Sequence, residues 1–437
     1  MNFTIKPVTP MKYLLLALFC LMCTITVNAQ NSRTTIPPVT KAVTRFNPEK
    51  ATAALIDQIP AAVRHKADSY SEGDYWLLLW NFLYAAFIAW LFLFGGLSAY
   101  IRKLTDKTTK TNRNNLFYII LYFLLSFLLA FPIDFYQNFI REQQYGFSNQ
   151  TFMQWLGNDL LNLLVELIIG APFFVLIYAL FRKVKENWWL WGSGFTVVTI
   201  IVVIIIYPVF ISPLFNNYTP LKNGVLRNRL LSLARANAVD IDQVYVYNES
   251  QQTKAFNANV TGFGSTSRIA LNDNMLNHCT NNEIAAVIGH EMGHYVMHHL
   301  LILALEFGLL VVFGFGIVKW LLNKLLFRYS KRWRIDSIQQ VSSLPLLVFL
   351  FTLYFFVITP VTNSIVRVVE IEADNYGLNA VREPDAFASV FIKTADNHKV
   401  APGYWEEVLF FDHPSRQHRI LAAMKWKSEN LDNCKDR

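Results

Sequence analysis

The sequence predicts a mainly α-helical fold: a multi-pass helical membrane bundle with a small α+β unit beside it. Of the 437 residues, 53% are hydrophobic and only 16% are charged. Soluble domains carry roughly 25% charged residues, so this chain has too few to cover a water-exposed surface. Six apolar segments, each close to the ~20 residues that cross a bilayer core as a helix, supply the spans. They occupy 75–97, 116–133, 160–181, 188–211, 300–322 and 344–362.

The N-terminus has the layout of a secretory leader. Two lysines and no acid precede an apolar core at 13–27, and Val27-Asn28-Ala29 then offers a small-residue cleavage site. Residues 1–29 are therefore predicted to be a signal peptide, with an uncleaved first span as the alternative. The rest of the chain divides into a polar segment at 30–74, a four-span membrane domain at 75–211, a first aqueous part at 212–299, two spans at 300–362 and a second aqueous part at 363–437.

The distribution of basic residues predicts the orientation. The net charge is +8, but the basic residues lie mostly in short loops and form no patch with interleaved aromatics, so nucleic acid is not an expected partner. Loops 98–115, 182–187 and 323–343 hold five, three and five Lys/Arg, whereas 134–159 holds one. Because short cytoplasmic loops are enriched in Lys/Arg, this pattern places the aqueous parts outside. With the leader, it predicts a bacterial inner-membrane protein whose aqueous unit faces the periplasm.

A metal-binding pattern lies on a helix in the first aqueous part. Thr280 and Glu283 have the spacing of a capping box, which starts a helix. On that helix His290 and His294 are four residues apart and share a face, with Glu291 beside the first. This H-E-x-x-H pattern supplies two zinc ligands and a carboxylate that takes a proton from water. The alternative is a helix whose histidines are merely interfacial.

A catalytic zinc needs a third protein ligand and an open fourth position. The longer three-histidine pattern would require a histidine where Leu300 stands, so His298 and His299 are expected to be packing or surface residues. After the last span, Glu370 and Asp374 share one helix face, so one can ligate the metal while the other orients a neighbour. A solvated acidic stripe is the alternative. The four cysteines include no close pair in the aqueous parts, which excludes a thiolate site.

Further motifs accompany these residues. They are Asn363 with Arg367-x-x-Glu370-x-x-Ala373-Asp374, His413-Pro414 followed by Arg419, Asn257-Ala258 ahead of the strand 268–272, and the connecting stretches 140–151 and 211–221. Taken together, from about residue 75 to 425, the sequence resembles the CAAX prenyl protease 1 type of integral-membrane zinc endopeptidases.

The resemblance implies a role for each residue and one Zn²⁺ per chain. The implied metal ligands are His290, His294 and Glu370; the implied catalytic residues are Glu291 as general base and His413 at the oxyanion; Asn257 and Ala258 would bind substrate; Asp374, Arg367 and Arg419 would surround the metal site. A helix-cap histidine and a surface arginine remain the alternatives for His413 and Arg419. The implied reaction is hydrolysis of peptide bonds by a metal-activated water, with a peptide or protein substrate and membrane lipid as partners.

Two departures from the family bear on the substrate. Eukaryotic members carry a histidine two residues before the Asn-Ala pair, where this chain has Ala255. They also present the active site to the cytosol, whereas the loop charges place it outside here. An envelope quality-control protease with no prenyl dependence is therefore one alternative, and a catalytically silent membrane scaffold is another. The intact Glu291 argues against a scaffold, because a structural zinc site gains nothing from an unligated carboxylate.

Overall fold

The computed structural model describes residues 46–107, 109–262 and 267–430, and it is mainly α-helical with one small sheet, as predicted. The proposed signal peptide at 1–29 lies outside the described residues. Five helical stretches of the described chain are long and apolar enough to cross a membrane: Ala61–Leu93, Thr111–Gln144, Phe152–Leu214, His299–Trp333 and Val341–Val381. This confirms the multi-pass membrane prediction.

The first part of the described chain forms helices α1 to α7. These are α1 (Pro48–Asp57), α2 (Ala61–Leu93), α3 (Leu97–Thr105), α4 (Thr111–Phe135), α5 (Arg141–Gln144), α6 (Phe152–Val184) and α7 (Trp188–Ile206). Helix α2 begins 14 residues before the predicted span at 75, because the polar residues 61–74 continue the same helix.

The six predicted spans fall into five stretches because α6 and α7 belong to one of them. A 3₁₀ turn at Lys185–Asn187 separates the two helices, and Lys185 has a φ of 48°. Phe173 of α6 stacks on Phe195 of α7 with ring centroids 5.6 Å apart, so the two helices run back alongside each other. This reversal agrees with the sequence, which predicted two spans at 160–181 and 188–211 on either side of the basic loop 182–187.

The α+β unit follows the membrane helices. Its elements are β1 (Tyr218–Pro220), α8 (Val225–Ala236), β2 (Gln243–Tyr247), β3 (Ala258–Thr261), β4 (Arg268–Asn272), α9 (Asp273–His278) and α10 (Asn281–Val296). The strand order is β1-β2-β4-β3, with β2 and β4 parallel and β3 antiparallel to β4. Strand β3 is thus an edge strand of the described sheet. Ile269, Leu271, Ile284 and Ile288 are buried between the sheet and α10.

Two long helices complete the bundle, α11 (His299–Trp333) and α12 (Leu344–Val381). The three basic loops meet at one end of the bundle. Ser98 donates to the carbonyl of Ser342 at 2.8 Å, and Arg182 donates to Asn112. At membrane level a cavity of about 840 Å³ opens between the helices, with Asn81 in its lining. The amide of Asn81 donates to Gln137 at 2.9 Å, which gives this polar residue within a spanning helix a hydrogen-bond partner.

Helix α12 runs from the bundle into the α+β unit and crosses α10 at very short range. A Cβ on Gly377 of α12 would lie 2.8 Å from the backbone nitrogen of His290, and a Cβ on Gly293 would lie 3.0 Å from Cα of Ala373. Only glycine permits this approach of the two backbones. Three shorter helices pack around the crossing: α13 (Pro384–Lys393), α14 (Tyr404–Phe410) and α15 (Arg416–Asn430).

Candidate metal centre and active-site cleft

Helix α10 starts with the predicted capping box. The Thr280 side chain accepts from the Glu283 backbone N–H at 3.3 Å, and the Glu283 carboxylate accepts from the Thr280 N–H at 2.7 Å. The same carboxylate is buried and accepts from Lys393 and Ser389 of α13 at 2.7 and 2.6 Å. The start of α10 is therefore held against α13, which fixes the rotation of the helix and the direction of its histidines.

His290 and His294 of α10 meet Glu370 of α12. One ligand atom from each lies within 4.8 Å of the others. The two Nε2 atoms are 3.1 Å apart, and the Glu370 oxygens lie 3.4 Å from His290 Nε2 and 3.3 Å from His294 Nε2. Two ligands held at 2.0–2.1 Å by a tetrahedral zinc would be about 3.3 Å apart.

A buried carboxylate oxygen without a hydrogen-bond partner also indicates that these residues fit a metal. Glu370 is buried, and its Oε2 has no hydrogen-bond partner in the part of the chain that the structure describes. Buried polar atoms are nearly always satisfied, so such an atom beside two imidazole nitrogens needs an explanation. A divalent cation bound by the three residues supplies one.

Asp374 and Arg419 lie behind His290. Asp374 Oδ1 is 2.8 Å from His290 Nδ1, and Arg419 Nε donates to Asp374 Oδ2 at 2.8 Å. A carboxylate in this place keeps the proton on Nδ1 and leaves Nε2 free for a metal. The structure thus brings both residues next to the metal ligands, where the resemblance placed them.

His299 is a contact that the sequence did not reveal. His298 adopts a left-handed conformation, with φ 56° and ψ 36°, and turns the chain so that α11 starts at His299. The buried His299 ring then lies with Nδ1 3.0 Å from His294 Nδ1 and Nε2 3.2 Å from a carboxylate oxygen of Glu372. His299 can therefore accept the proton of His294 Nδ1–H, as Asp374 does for His290. No sequence pattern predicts a left-handed conformation at a histidine, so the sequence did not predict the contact of His299 with His294.

Glu291 lies beside the three candidate metal ligands and is not part of that cluster. It lines a cleft of about 1160 Å³ together with His290, Glu370 and His413. No other described residue hydrogen-bonds to its carboxylate or pairs with it. Burial raises the pKa of Glu291, while the charges of His290 and His294 act to lower it. Such a carboxylate is placed to accept a proton inside the cleft.

His413 approaches the site from the loop between α14 and α15. Its Nε2 is 3.4 Å from Glu370 Oε1, and its Nδ1 is 2.8 Å from Asp412. Half of the side chain is exposed, so it faces the cleft. Arg367 does not contact the candidate metal ligands, although the resemblance placed it around the metal site. It donates to the carbonyls of Glu407 and Phe411, so it holds the loop that carries His413 rather than the metal ligands.

Asn257 and Ala258 lie at the start of the edge strand β3. Asn257 is exposed and its carbonyl accepts from the Asn272 N–H at 2.9 Å, whereas the Ala258 side chain is buried. Among the described residues of this segment, Ala255 and Phe256 line the cleft rather than these two. The segment, but not the expected pair of side chains, therefore borders the cleft.

Comparisons with known proteins decide the family. Residues 42–217 match the family described as CAAX prenyl protease N-terminal, five membrane helices, and residues 220–427 match peptidase family M48. The chain is 32% identical over 294 residues to the uncharacterized metalloprotease YhfN of Bacillus subtilis, which covers 67% of this chain and 68% of that protein. The chain belongs to peptidase family M48.

Other relatives are named CAAX prenyl protease 1, which is the family that the sequence motifs resemble. CAAX prenyl protease 1 of Saccharomyces cerevisiae is 34% identical over 170 residues, 39% of this chain and 38% of that one. A CAAX prenyl protease 1 homolog of Oryza sativa is 26% identical over 326 residues, 70% and 71% of the two chains. The crystal structure of S. mikatae Ste24p matches with a TM-score of 0.71 at 24% identity, covering 96% of this chain and 100% of that one, so the two share a fold.

These findings confirm the activity at the level of the reaction. The M48 chain is a membrane metalloendopeptidase that hydrolyses peptide bonds and resembles CAAX prenyl protease 1. Its substrates are accordingly peptides or proteins, and its helices make it a multi-pass membrane protein.

Proposed function

We propose that the protein is a zinc-dependent endopeptidase in which His290, His294 and Glu370 hold one zinc ion per chain. The meeting of their three ligand atoms within 4.8 Å, next to the unpaired Glu291, carries this proposal. Two neutral imidazoles and one carboxylate, with a position left open, are a typical donor set for catalytic zinc. Zinc bound there would polarise the scissile carbonyl and lower the pKa of a water towards ~7.

The chain's own residues divide the remaining work. Glu291 takes a proton from the attacking water and passes it to the leaving amine. His413, whose Nε2 faces the site, donates to the carbonyl oxygen as negative charge develops on it. Asp374 and Arg419 keep His290 in place, and Arg367 holds the loop of His413.

The edge strand β3 supports backbone binding of the substrate. Strand β3 is paired with β4 on one side, and Asn257 is exposed directly before it. An extended peptide can add to such an edge through main-chain hydrogen bonds. Asn257 and the backbone of Ala258 would then contact the substrate on either side of the point where it enters the cleft.

The Glu291→Gln variant of the full-length protein tests this assignment. Gln is nearly isosteric but cannot take a proton, so we expect kcat to fall about 10²- to 10⁴-fold while one zinc per chain is retained. Peptide cleavage and zinc content are measured on the same preparation. Glu186→Gln, an exposed change in the α6–α7 turn, is the matched control and should behave as wild type. Full cleavage by the Glu291 variant would refute the assignment.

The orientation proposed is a bacterial inner-membrane protein with the metal centre in the periplasm. Contacts between the three basic loops, through Ser98 with Ser342 and Arg182 with Asn112, support their lying on one membrane face. Basic short loops favour the cytoplasm, so the C-terminus would lie outside. A reporter enzyme that works only after export should therefore be active when it is fused after Arg437. Activity of the fusion in the cytoplasm alone would reverse the orientation.

Two substrate classes agree with this active site. Similarity to the protein named CAAX prenyl protease 1 supports cleavage of C-terminal tails of prenylated proteins. The proposed orientation favours instead unprenylated membrane proteins of the envelope. A cleavage assay with a farnesylated CAAX peptide, its unmodified twin and an unfolded membrane protein separates the two. Cleavage of the farnesylated peptide alone establishes the first class. Cleavage of the unmodified peptide and of the unfolded membrane protein to the same extent establishes the second.

A further inference from the structure

Arg416 lies in the wall of the cleft and forms no ion pair with a carboxylate among the described residues. Its side chain lines the same 1160 Å³ space as Glu291 and Glu370. Nη1 donates to the carbonyl of His398 at 3.2 Å and Nη2 to the side-chain oxygen of Asn397, both of which are neutral acceptors. Nε is buried and has no acceptor in the described chain. The positive charge is therefore solvated by two dipoles, and no carboxylate of the described chain forms an ion pair with it.

The carboxylate that acts on this charge is already engaged by another cation. Asp396 acts on Arg416 electrostatically, but its carboxylate accepts from Lys66 at 3.2 Å. Asp374 is occupied by Arg419 and His290. Burial and the charge of Arg419 lower the pKa of Arg416 to about 10, so the group remains charged at neutral pH. Removing a charge from water is costly unless it is paired, so this half-buried guanidinium is suited to a ligand that brings a carboxylate to it.

The helix that carries Arg416 increases the local positive potential. Arg416 is the first residue of the 15-residue α15, and no acid stands in the first turn. Helix N-termini carry partial positive charge and stabilise anions, so a cation there is locally unfavourable. A local rule broken without compensation inside the chain is typical of a functional position.

We propose that Arg416 binds a carboxylate of the substrate while the peptide lies in the cleft. This rests on the proposed peptidase function and names a specificity determinant for it. His413, Arg416 and Arg419 follow one another at intervals of three residues and all line the cleft, so the anion site lies beside the scissile bond. Each Nη group retains one N–H beyond its internal bond, and a guanidinium binds a carboxylate through two parallel hydrogen bonds. The carboxylate comes from the substrate's C-terminus or from an Asp or Glu side chain.

Four peptides that differ only in the C-terminal group and in one side chain identify the source of the carboxylate. They end in a free acid or an amide, and each carries either Glu or Gln beside the cleaved bond. With the full-length protein in detergent, we expect the peptides that present the recognised carboxylate to have a kcat/KM about 10- to 100-fold higher, mainly through KM, as for a charge-assisted hydrogen bond. The pair that shows the difference, acid with amide or Glu with Gln, names the source.

Variants then assign the preference to this residue. Arg416→Gln should reduce the preference to within about 2-fold of unity, and Arg416→Lys, which keeps the charge but not the two-pronged geometry, should keep part of it. Lys254 provides the matched control, because it lines the same cleft and has no acidic partner among the described residues. Lys254→Gln should leave the ratio between paired peptides unchanged. Retention of zinc shows that a variant is folded. If Arg416→Gln does not fold, Arg416→Lys is used in its place.

Three outcomes would overturn the proposal. They are equal cleavage of all four peptides by wild type, a preference that survives in both Arg416 variants, and a preference lost equally in Lys254→Gln. Failure of the proposed function appears differently, as the absence of cleavage of any peptide by zinc-loaded wild type. In that case, fluorescence anisotropy of the labelled peptides on Glu291→Gln protein still measures whether Arg416 binds the carboxylate.

Discussion

Helix α12 makes two close helix contacts, and they are built differently. Where it crosses α10, Gly377 approaches backbone: an added Cβ would meet the nitrogen of His290 at 2.8 Å. Where it packs on α11 in the bundle, Gly314 faces a ring instead, and an added Cβ would meet Tyr354 Cε1 at 2.8 Å. A ring can rotate or shift by a few tenths of an ångström, whereas a helical backbone cannot. The separation of the metal ligands is thus set by rigid backbone contact, and the membrane packing by adjustable side chains.

Adding one methyl group at each contact gives the largest expected effect. Gly377→Ala should force α10 and α12 apart, with a loss of about 3 kcal/mol in the free energy of unfolding, the upper end of the usual range for overpacking. Since His290 and Glu370 lie on the separated helices, zinc affinity should fall as well. Thermal unfolding with and without zinc, and zinc titration, measure both effects.

Gly314→Ala is the matched variant in the bundle. The Tyr354 ring can yield, and alanine favours the helix by up to ~1 kcal/mol over glycine, so the net change should stay below about 1 kcal/mol. Zinc affinity should not change. Equal losses at the two positions would show that the two contacts are equally rigid and would remove the contrast.

The second prediction concerns the histidine that supports a ligand from α11. His299→Phe keeps the ring volume but removes the acceptor for His294 Nδ1–H, so zinc affinity should fall about 10- to 100-fold, as for other outer partners of metal ligands. His299→Gln retains an acceptor oxygen and should recover most of the affinity. Zinc titration against a competing chelator measures both.

His65→Phe, an exposed histidine of α2, is the control for this series. It should leave zinc affinity unchanged. If His299→Phe binds zinc as tightly as wild type, His299 is a packing residue, as the sequence alone suggested.

The smallest effect is expected at the start of α10, where the contact is electrostatic. Burial raises the pKa of Glu283, but hydrogen bonds from Lys393, Ser389 and Thr280 outweigh it and hold the pKa below 4.5. The unfolded chain then binds the proton more tightly, so this stabilisation is present above pH ~4.5 and is lost as the pH falls through the folded pKa. Glu283→Gln should cost about 1–2 kcal/mol at pH 6 and progressively less towards pH 3, as measured by denaturant unfolding. A cost independent of pH would contradict this.

Local patterns predicted the part of the site that lies on one helix. The capping box at Thr280 and Glu283 and the i, i+4 spacing of His290 and His294 depend only on helix geometry, and both appear as expected. Glu370 and Asp374 likewise share a face. Periodicity could not predict their distance from α10, because that distance depends on a helix crossing that Gly293 and Gly377 make possible.

The features that the sequence did not predict depend on tertiary contacts or on unusual backbone. The approach of His299 to His294 depends on the left-handed His298. Arg367 bonds to carbonyls some 40 residues away, and no local signal indicates such partners.

The continuity of α12 makes the bilayer part of the catalytic geometry. Glu370 follows Leu344 by 26 residues of one helix, a rise of about 39 Å, which exceeds the ~30 Å hydrocarbon core. A change in the tilt of this helix, as a thicker or thinner membrane imposes, therefore reaches the end that carries Glu370. Because the backbone contact at Gly377 joins α12 to α10, such a tilt moves Glu370 together with the two histidines and reorients the whole metal centre relative to the membrane surface.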